Sequence, residues 1–488
     1  MDLSAAAAVG SLPPMRRIFM AVFLAGWAQW AGADTFTGAN WVVRFNLPDQ
    51  TTSAGSIGPD EFVLRDALLA RLDALGNNDW ACLATYTFSG NTAAGGAAGP
   101  ILAAMSNALA RGAKLGFVAD TGVDVTSNFW PGVSLLSLSK RPGNALQLSR
   151  APPVGGIMHN KIGLFWYRAT GQAWVMAGSW NFTGGASSQQ WNIMTELQNN
   201  TLAAAYSNEL RQMLSGYFHS NTNKSRAPDG TRFRLTGTTR DGWVRFAPFS
   251  DRTSGGNNAL TDIIAAIDDA QDEIFFALNK LTRTEVAAAL IRACDRGVVV
   301  HGTIPISDRG APGRDSYEVY QMLLNGANYA TLNRVRMYDA YYQAARLRYD
   351  NNNRDLTHAK YMVIDPRGVY PLVIQGSANW TASALVLPTS NDENVQFLPH
   401  GGIAEAFRAQ FAAMTDGMKP WCAWRPGPKA SQMTVWLPEN EAYQLWFSPD
   451  VGLGPEAWTP YRSLPAMRGI HMLGLTNAAP RGFFRVAP

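Results

Sequence analysis

Two stretches of the chain carry the same chemically capable residues in the same order. The first holds His159, Lys161, Gly178-Ser179-Trp180-Asn181 and Glu196; the second holds His358, Lys360, Asp365, Gly376-Ser377-Ala378-Asn379 and Glu393. With six His and eight Lys in the sequence, a His-x-Lys is expected by chance only about 0.1 times, before any downstream match is required. Both copies run on into Gly-Ser-x-Asn, with Ser179 and Ser377 lying 20 and 19 residues after their His. Each Asn is then followed by a Glu, 15 and 14 residues later.

A neutral imidazole can attack phosphorus or hand a proton to a leaving oxygen, and a second imidazole lets one site do both. Lys161 and Lys360 supply positive charge, while Asn181, Asn379, Ser179 and Ser377 supply donors, as the equatorial oxygens of a pentacoordinate phosphorus require. A carboxylate behind each imidazole would set its tautomer and stabilise the imidazolium; Glu196 and Glu393 are the candidates. The residues therefore point to phosphodiester chemistry.

Such residues need rigid elements to aim them. Each His-x-Lys opens an apolar run that suits a strand, on which residues i and i+2 face one side, so each His points into a cleft with its Lys. Ser179 with Asn181, and Ser377 with Asn379, obey the same rule. Trp41 to Phe45 reads as a strand, Asp60 to Leu75 as an amphipathic helix, Ala81 to Phe88 as a strand, Pro100 to Arg111 as a helix and Leu115 to Val118 as a strand. This order predicts a mostly parallel sheet. From Trp243 the same order returns, and equivalent positions lie 197 to 202 residues apart throughout. An internal duplication is the expected architecture, with the polar stretch Ser220 to Asp241 as linker.

The flanks are different in kind. Met15-Arg16-Arg17, the apolar run Ile18 to Trp30 and Ala31-Gly32-Ala33 read as a secretory signal peptide cleaved after Ala33, and no later stretch is long enough to span a membrane. From Lys419, short aromatic strands between Pro- and Gly-rich turns predict a small β-sandwich. The Gly-rich residues 89 to 100 lack phosphate-loop spacing and read as a connection. Arg and Tyr interleave between 309 and 354, as Arg309, Arg314, Arg334, Arg336, Arg346, Arg348 and Arg354 among seven Tyr. That pattern suits a solvated insertion, or a groove wall for lipid head groups or single-stranded nucleic acid.

Composition narrows the class. A chain of 488 residues, 47% hydrophobic and 16% charged, is folded and multi-domain, which excludes disorder and coiled coil. A net charge of +4 is too small for nucleic-acid binding by bulk charge. Three cysteines allow at most one bridge and have no zinc spacing, so buried thiols are expected.

The two copies resemble the HKD motif, H-x-K-x4-D followed by G-S/G-x-N, of the phospholipase D superfamily. The resemblance implies an α/β fold of two tandem α/β/α halves, residues 34–225 and 226–418, sharing one site at a pseudo-twofold seam, after a signal peptide at 1–33 and before a C-terminal β-sandwich at 419–488. It implies a metal-independent, cofactor-free reaction through a phosphohistidine, with His159 as nucleophile and His358 as general acid. Lys161, Lys360, Asn181 and Asn379 would hold the phosphate. The first copy departs from the motif, because Trp166 stands where the second has Asp365. The expected activity is that of a secreted or periplasmic phospholipase D acting as a monomer on phospholipid at a membrane surface. An extracellular nuclease on DNA or RNA is the alternative, and a binding protein with a decayed site the third reading.

Overall fold

The computed structural model describes residues 35–48, 59–90, 96–219, 224, 230–248, 258–325, 335–338, 340, 357–387, 391–415, 421–425, 431–448, 458–475 and 483–487. The expected signal peptide and most of the Arg/Tyr-rich stretch lie outside these residues.

The first half is built on β1 (Thr35–Thr37), β2 (Trp41–Phe45), β3 (Trp80–Thr85), β4 (Lys114–Ala119), β5 (Leu146–Arg150), β6 (Ile162–Tyr167), β7 (Gln172–Gly178) and β8 (Ile193–Gln198). They form one sheet in the order β1-β2-β8-β7-β6-β3-β4-β5. The second half is built on β9 (Thr231–Phe233), β10 (Gly242–Ala247), β11 (Glu273–Leu278), β12 (Val299–Thr303), β13 (Arg336–Tyr338), β14 (Lys360–Ile364), β15 (Leu372–Gly376) and β16 (Glu393–Leu398). Read from its β9 edge, that sheet runs β9-β10-β16-β15-β14-β11-β12-β13, the same order strand for strand. The duplication seen in the sequence is thus a duplication of topology.

The sheets are mixed, and the parallel pairing read from the strand-helix order holds for one part of each. Only β3, β4 and β5, and β11, β12 and β13, pair in parallel; β6, β7 and β8, and their counterparts, are antiparallel meanders. Short turns such as Arg168 to Gly171 can join only antiparallel neighbours, since a parallel return needs a crossover.

Three cores hold the halves together. One lies between the first sheet and the helices Val63–Asp73 and Ala98–Ala110, another between the second sheet and the helices Ala259–Asp269 and Thr284–Arg296. The third lies between the two sheets, where helices Asn200–Leu214 and Gly401–Met414 contribute Tyr206, Leu210, Phe407 and Phe411 against Phe45, Val244, Phe275 and Tyr361. Strands covered on both faces read as near-continuous apolar runs, as in IFFAL within β11 and LVI within β15. Cys82 and Cys294 are buried free thiols within this packing.

The C-terminal segment corrects an expectation. The described strands β17 (Trp421–Arg425), β18 (Ser431–Ser448), β19 (Thr459–Leu475) and β20 (Phe483–Ala487) form one four-stranded antiparallel sheet rather than two facing sheets. The sequence breaks at Pro438, but β18 continues through that proline because the ladder shifts register between Leu437 and Tyr443. Proline is tolerated at such a bulge.

Candidate active site

Each motif's histidine is suspended from the opposite half. His159 donates its backbone N–H to the Asp392 carbonyl at 3.0 Å, and His358 donates its own to the Trp191 carbonyl at 3.0 Å. Parallel bridges of Met158 with Asp392, and of Trp191 with Thr357, complete these cross-seam contacts. Both histidines therefore lie where the halves meet. His358 is within electrostatic reach of His159, Lys161 and Lys360.

The lysines rise from the same side as their histidines. Lys161 Nζ donates to the His159 carbonyl at 2.5 Å, and Lys360 Nζ donates to the His358 carbonyl at 2.6 Å. Both ammonium groups are buried. The ring of Tyr86, just past β3, meets His159 edge-on at 5.0 Å and carries Lys161 Nζ 5.3 Å from its centroid.

Behind the imidazoles the halves differ. His159 Nδ1 lies 2.8 and 2.9 Å from the two oxygens of Glu393. His358 Nδ1 lies 2.9 Å from Asn192 Oδ1. Asn192 Nδ2 donates to the Ala186 carbonyl at 2.8 Å, which turns its amide oxygen toward His358. An acceptor behind Nδ1 fixes the proton there and leaves Nε2 of each neutral ring with a free lone pair.

Glu196 does not stand behind an imidazole. It is paired with Arg44 and, at 2.7 Å, with Arg71, on the strand β8. The partner of His358 is Asn192, which the sequence reading missed. From Asn181 to Asn192 is three residues shorter than from Asn379 to Glu393, so matching the copies by Asn-to-Glu spacing selects Glu196, four residues too far.

The serines also lie elsewhere than expected. Ser179 Oγ donates to Asn192 Oδ1 at 2.9 Å and Ser377 Oγ to Glu393 Oε2 at 2.6 Å. Both hydroxyls are buried and accept from the backbone N–H groups of Ile193 and Asn394. They brace the groups that orient the histidines and are not placed as phosphate donors. The preceding glycines are needed because a Cβ at Gly178 or Gly376 would meet the carbonyl oxygen of Ile193 or Asn394 at 2.2 or 2.1 Å.

Asn181 and Asn379 follow the ends of β7 and β15, and each is half-buried. Asn181 Oδ1 has no hydrogen-bond partner among the described residues. Asn379 Oδ1 accepts from Asn279 Nδ2 at 3.3 Å.

Asp365 is not at the site. It accepts from the backbone N–H groups of Gln271, Asp272 and Glu273 at 2.9, 2.7 and 2.9 Å, tying the far end of β14 to the start of β11. In the first half Asp79 makes the equivalent tie, accepting from Arg168 and Gly76 at 2.8 Å each. Trp166 therefore removes no chemical group, because the clasp is supplied from the other strand.

The site is electrostatically loaded. Burial pulls Lys161 down to about 7, against the pull of Glu393 and Asp120, and burial with the neighbouring Lys161 holds Lys360 well below its ordinary range. Burial, then Lys360, Lys161 and His159, hold His358 well below the usual imidazole value. His159 is lowered by burial, with Glu393 opposing and Lys161 adding. Burial by itself would raise Glu393, but the charge and hydrogen bond of His159, with Lys161 and Ser377, outweigh it and keep the carboxyl below its usual range. Among the described residues no group of three or more His, Cys, Asp or Glu is placed to hold a metal ion, and no helix is long and apolar enough to cross a membrane.

No curated protein matches the chain significantly. Among solved structures it is similar to phosphatidylserine synthase of Haemophilus influenzae Rd KW20, at 11% identity and TM-score 0.46 over 75% of this chain and 87% of that one. It is similar to polyphosphate kinase of Porphyromonas gingivalis at 15% identity and TM-score 0.44 over 72% of this chain, and spans 48% of that kinase, about half its length. It is also similar to Nuc of Salmonella typhimurium, a phospholipase D family member, at 23% identity and TM-score 0.26 over 36% of this chain and 94% of that one. The family described as cardiolipin synthase, PLD-like domain matches residues 81–214 and 263–415, one block in each half and together more than half of the chain. The chain belongs to this PLD-like family, and so to the phospholipase D superfamily.

Proposed function

We propose that the protein is a secreted phosphoric diester hydrolase of phospholipase D type, which releases the head-group alcohol of a phospholipid and leaves phosphatidate. The observation that carries this reading is the cross-seam placement of two histidines, with His159 backed by a carboxylate and His358 by a neutral amide, above two buried lysines.

The asymmetry supports a division of labour. Attack of His159 Nε2 on phosphorus forms an N–P bond and leaves the ring positively charged, and Glu393 offsets that charge. The P–O bond to the head group breaks as its oxygen takes a proton from His358 Nε2. An amide behind His358 does not hold that proton tightly, as a carboxylate would, so the ring is a stronger acid. The substrate's own negative charge, arriving among four basic groups, raises their proton affinity and favours the protonated His358 that this step needs. Water then attacks the phosphohistidine, His358 takes its proton, the N–P bond breaks and both rings return to their starting state. Lys161, Lys360, Asn181 and Asn379 stabilise the equatorial oxygens throughout.

The burial of Lys161, Lys360 and Glu393 favours a slender, flexible diester. A lipid head group fits that description, and the small net charge offers little bulk attraction for a nucleic-acid duplex. The test is a substrate panel with chelator present: head-group release from phosphatidylcholine or phosphatidylethanolamine vesicles is expected. Nicking of plasmid DNA without head-group release would replace the lipase reading with the nuclease one.

A further inference from the structure

One described residue of the stretch that joins the halves, Lys224, is buried against residues of both. Lys224, whose side chain is only 1% exposed, donates to Asp392 Oδ1 at 2.6 Å and pairs with Glu209 of helix Asn200–Leu214. His219 donates its backbone N–H to Asp392 Oδ1 at 2.9 Å, and its Nδ1 lies 2.8 Å from Asp392 Oδ2. All four side chains are buried. This is a costly arrangement for charges unless each is paired, and its residues come from the first half, the linker and the second half together.

Asp392 is also the residue that holds His159. Its carbonyl receives the His159 N–H, its own N–H donates to the Ile157 carbonyl at 2.9 Å, and the next residue, Glu393, meets His159 Nδ1. A shift of the Asp392 side chain therefore moves both contacts that aim the imidazole. The pseudo-equivalent position behind His358 is Trp191, an apolar side chain 2% exposed. Among the described residues the ionic brace stands on the side where a carboxylate backs the histidine.

We propose that Lys224 and His219 are positioning residues for the reaction, acting through Asp392 to set Glu393 against His159. The proposal rests on the reading of His159 as the nucleophile. It makes the linker part of the machinery rather than a tether: the charge pattern that joins the two halves also determines the attack angle of one imidazole. Misplacement of a reacting group by about 1 Å is enough to lower a rate by about 100-fold.

The experiment compares full-length wild type with Lys224→Met, Lys224→Arg and Asp392→Asn, using bis(p-nitrophenyl) phosphate as a generic diester. Three quantities are read: kcat and KM, the melting temperature, and the low-field Nδ1 proton of the His159 and Glu393 pair in histidine-labelled protein. Lys224→Met is expected to lower kcat by roughly 10- to 100-fold with KM little changed, and to shift or broaden that proton. Lys224→Arg is expected to recover most of both, and Asp392→Asn to resemble Lys224→Met. If Lys224→Met does not fold, Asp392→Asn decides by the same readouts. Variants that melt earlier yet keep the wild-type kcat and an unmoved proton would overturn the proposal and leave the network a purely structural clasp. A wild type that forms no adduct on His159 would count instead against the reaction proposed above.

Discussion

Glu393 and His159 belong to different halves of the chain, 234 residues apart in sequence, yet their hydrogen bond of 2.8 Å is the closest link between either histidine and a carboxylate among the described residues. The equivalent link in the other direction, Asn192 to His358, is neutral. The site is therefore a pseudo-symmetric frame with unsymmetric chemistry, and its behaviour should follow from that difference.

Glu393→Gln keeps the shape of the side chain but removes the charge that offsets a phosphorylated His159. Orienting groups of this kind typically contribute about 10- to 100-fold in activity. We expect a fall of that size in the rate of adduct formation, read by rapid quench, with substrate binding little changed.

Asn192→Asp places a second carboxylate behind the proton donor. An adjacent opposite charge raises a histidine's proton affinity by roughly 1–3 pKa units. His358 should then stay protonated to higher pH, so the alkaline limb of the kcat profile moves up. It should also become a weaker acid, so the maximal rate falls. A profile that does not move would show that His358 does not govern that limb.

Lys161 is held near 7, below its ordinary value, by burial. Because the folded value is lowered, the unfolded chain binds more protons between about 7 and 10, so this group opposes folding there and its penalty eases as pH rises. Lys161→Met should therefore raise the melting temperature at neutral pH while abolishing turnover. In the wild type, KM for an anionic diester should rise as pH passes through about 7 and upward, where the ammonium is lost. Calorimetry and a pH series of KM check the two halves of this expectation.

Asp365→Ala leaves three backbone N–H groups at the start of β11 without their acceptor. Each such loss typically costs about 1–3 kcal/mol when buried. The variant should melt earlier but retain its kcat once folded, and Asp79→Ala should behave alike in the first half.

Much of this was legible in the sequence because duplication repeats the signal. The paired His-x-Lys and Gly-Ser-x-Asn stretches marked both sides of the seam, and the offset of about 200 residues gave the tandem sheets. Asn192 was not legible, since it carries no charge and a three-residue difference in loop length hides its correspondence to Glu393. Ser179 and Ser377 share their strands' parity with the asparagines, but the chain bends at each serine and the hydroxyls meet the backbone N–H groups of Ile193 and Asn394. Asp365 shows that motif spacing by itself does not separate a residue that serves the chemistry from one that serves the backbone. In the C-terminal sheet, Pro438 read as a strand break because bulges leave no mark in composition.

The measurement that bears most directly on the central claim is peptide mapping of an acid-labile phosphoryl adduct, trapped by rapid quench during turnover of a phospholipid. The account predicts the adduct on the imidazole of His159, present in wild type and accumulating when His358 is replaced by Asn in the presence of a substrate with a good leaving group. An adduct on His358, or turnover at the wild-type rate in a His159→Asn variant, would contradict it.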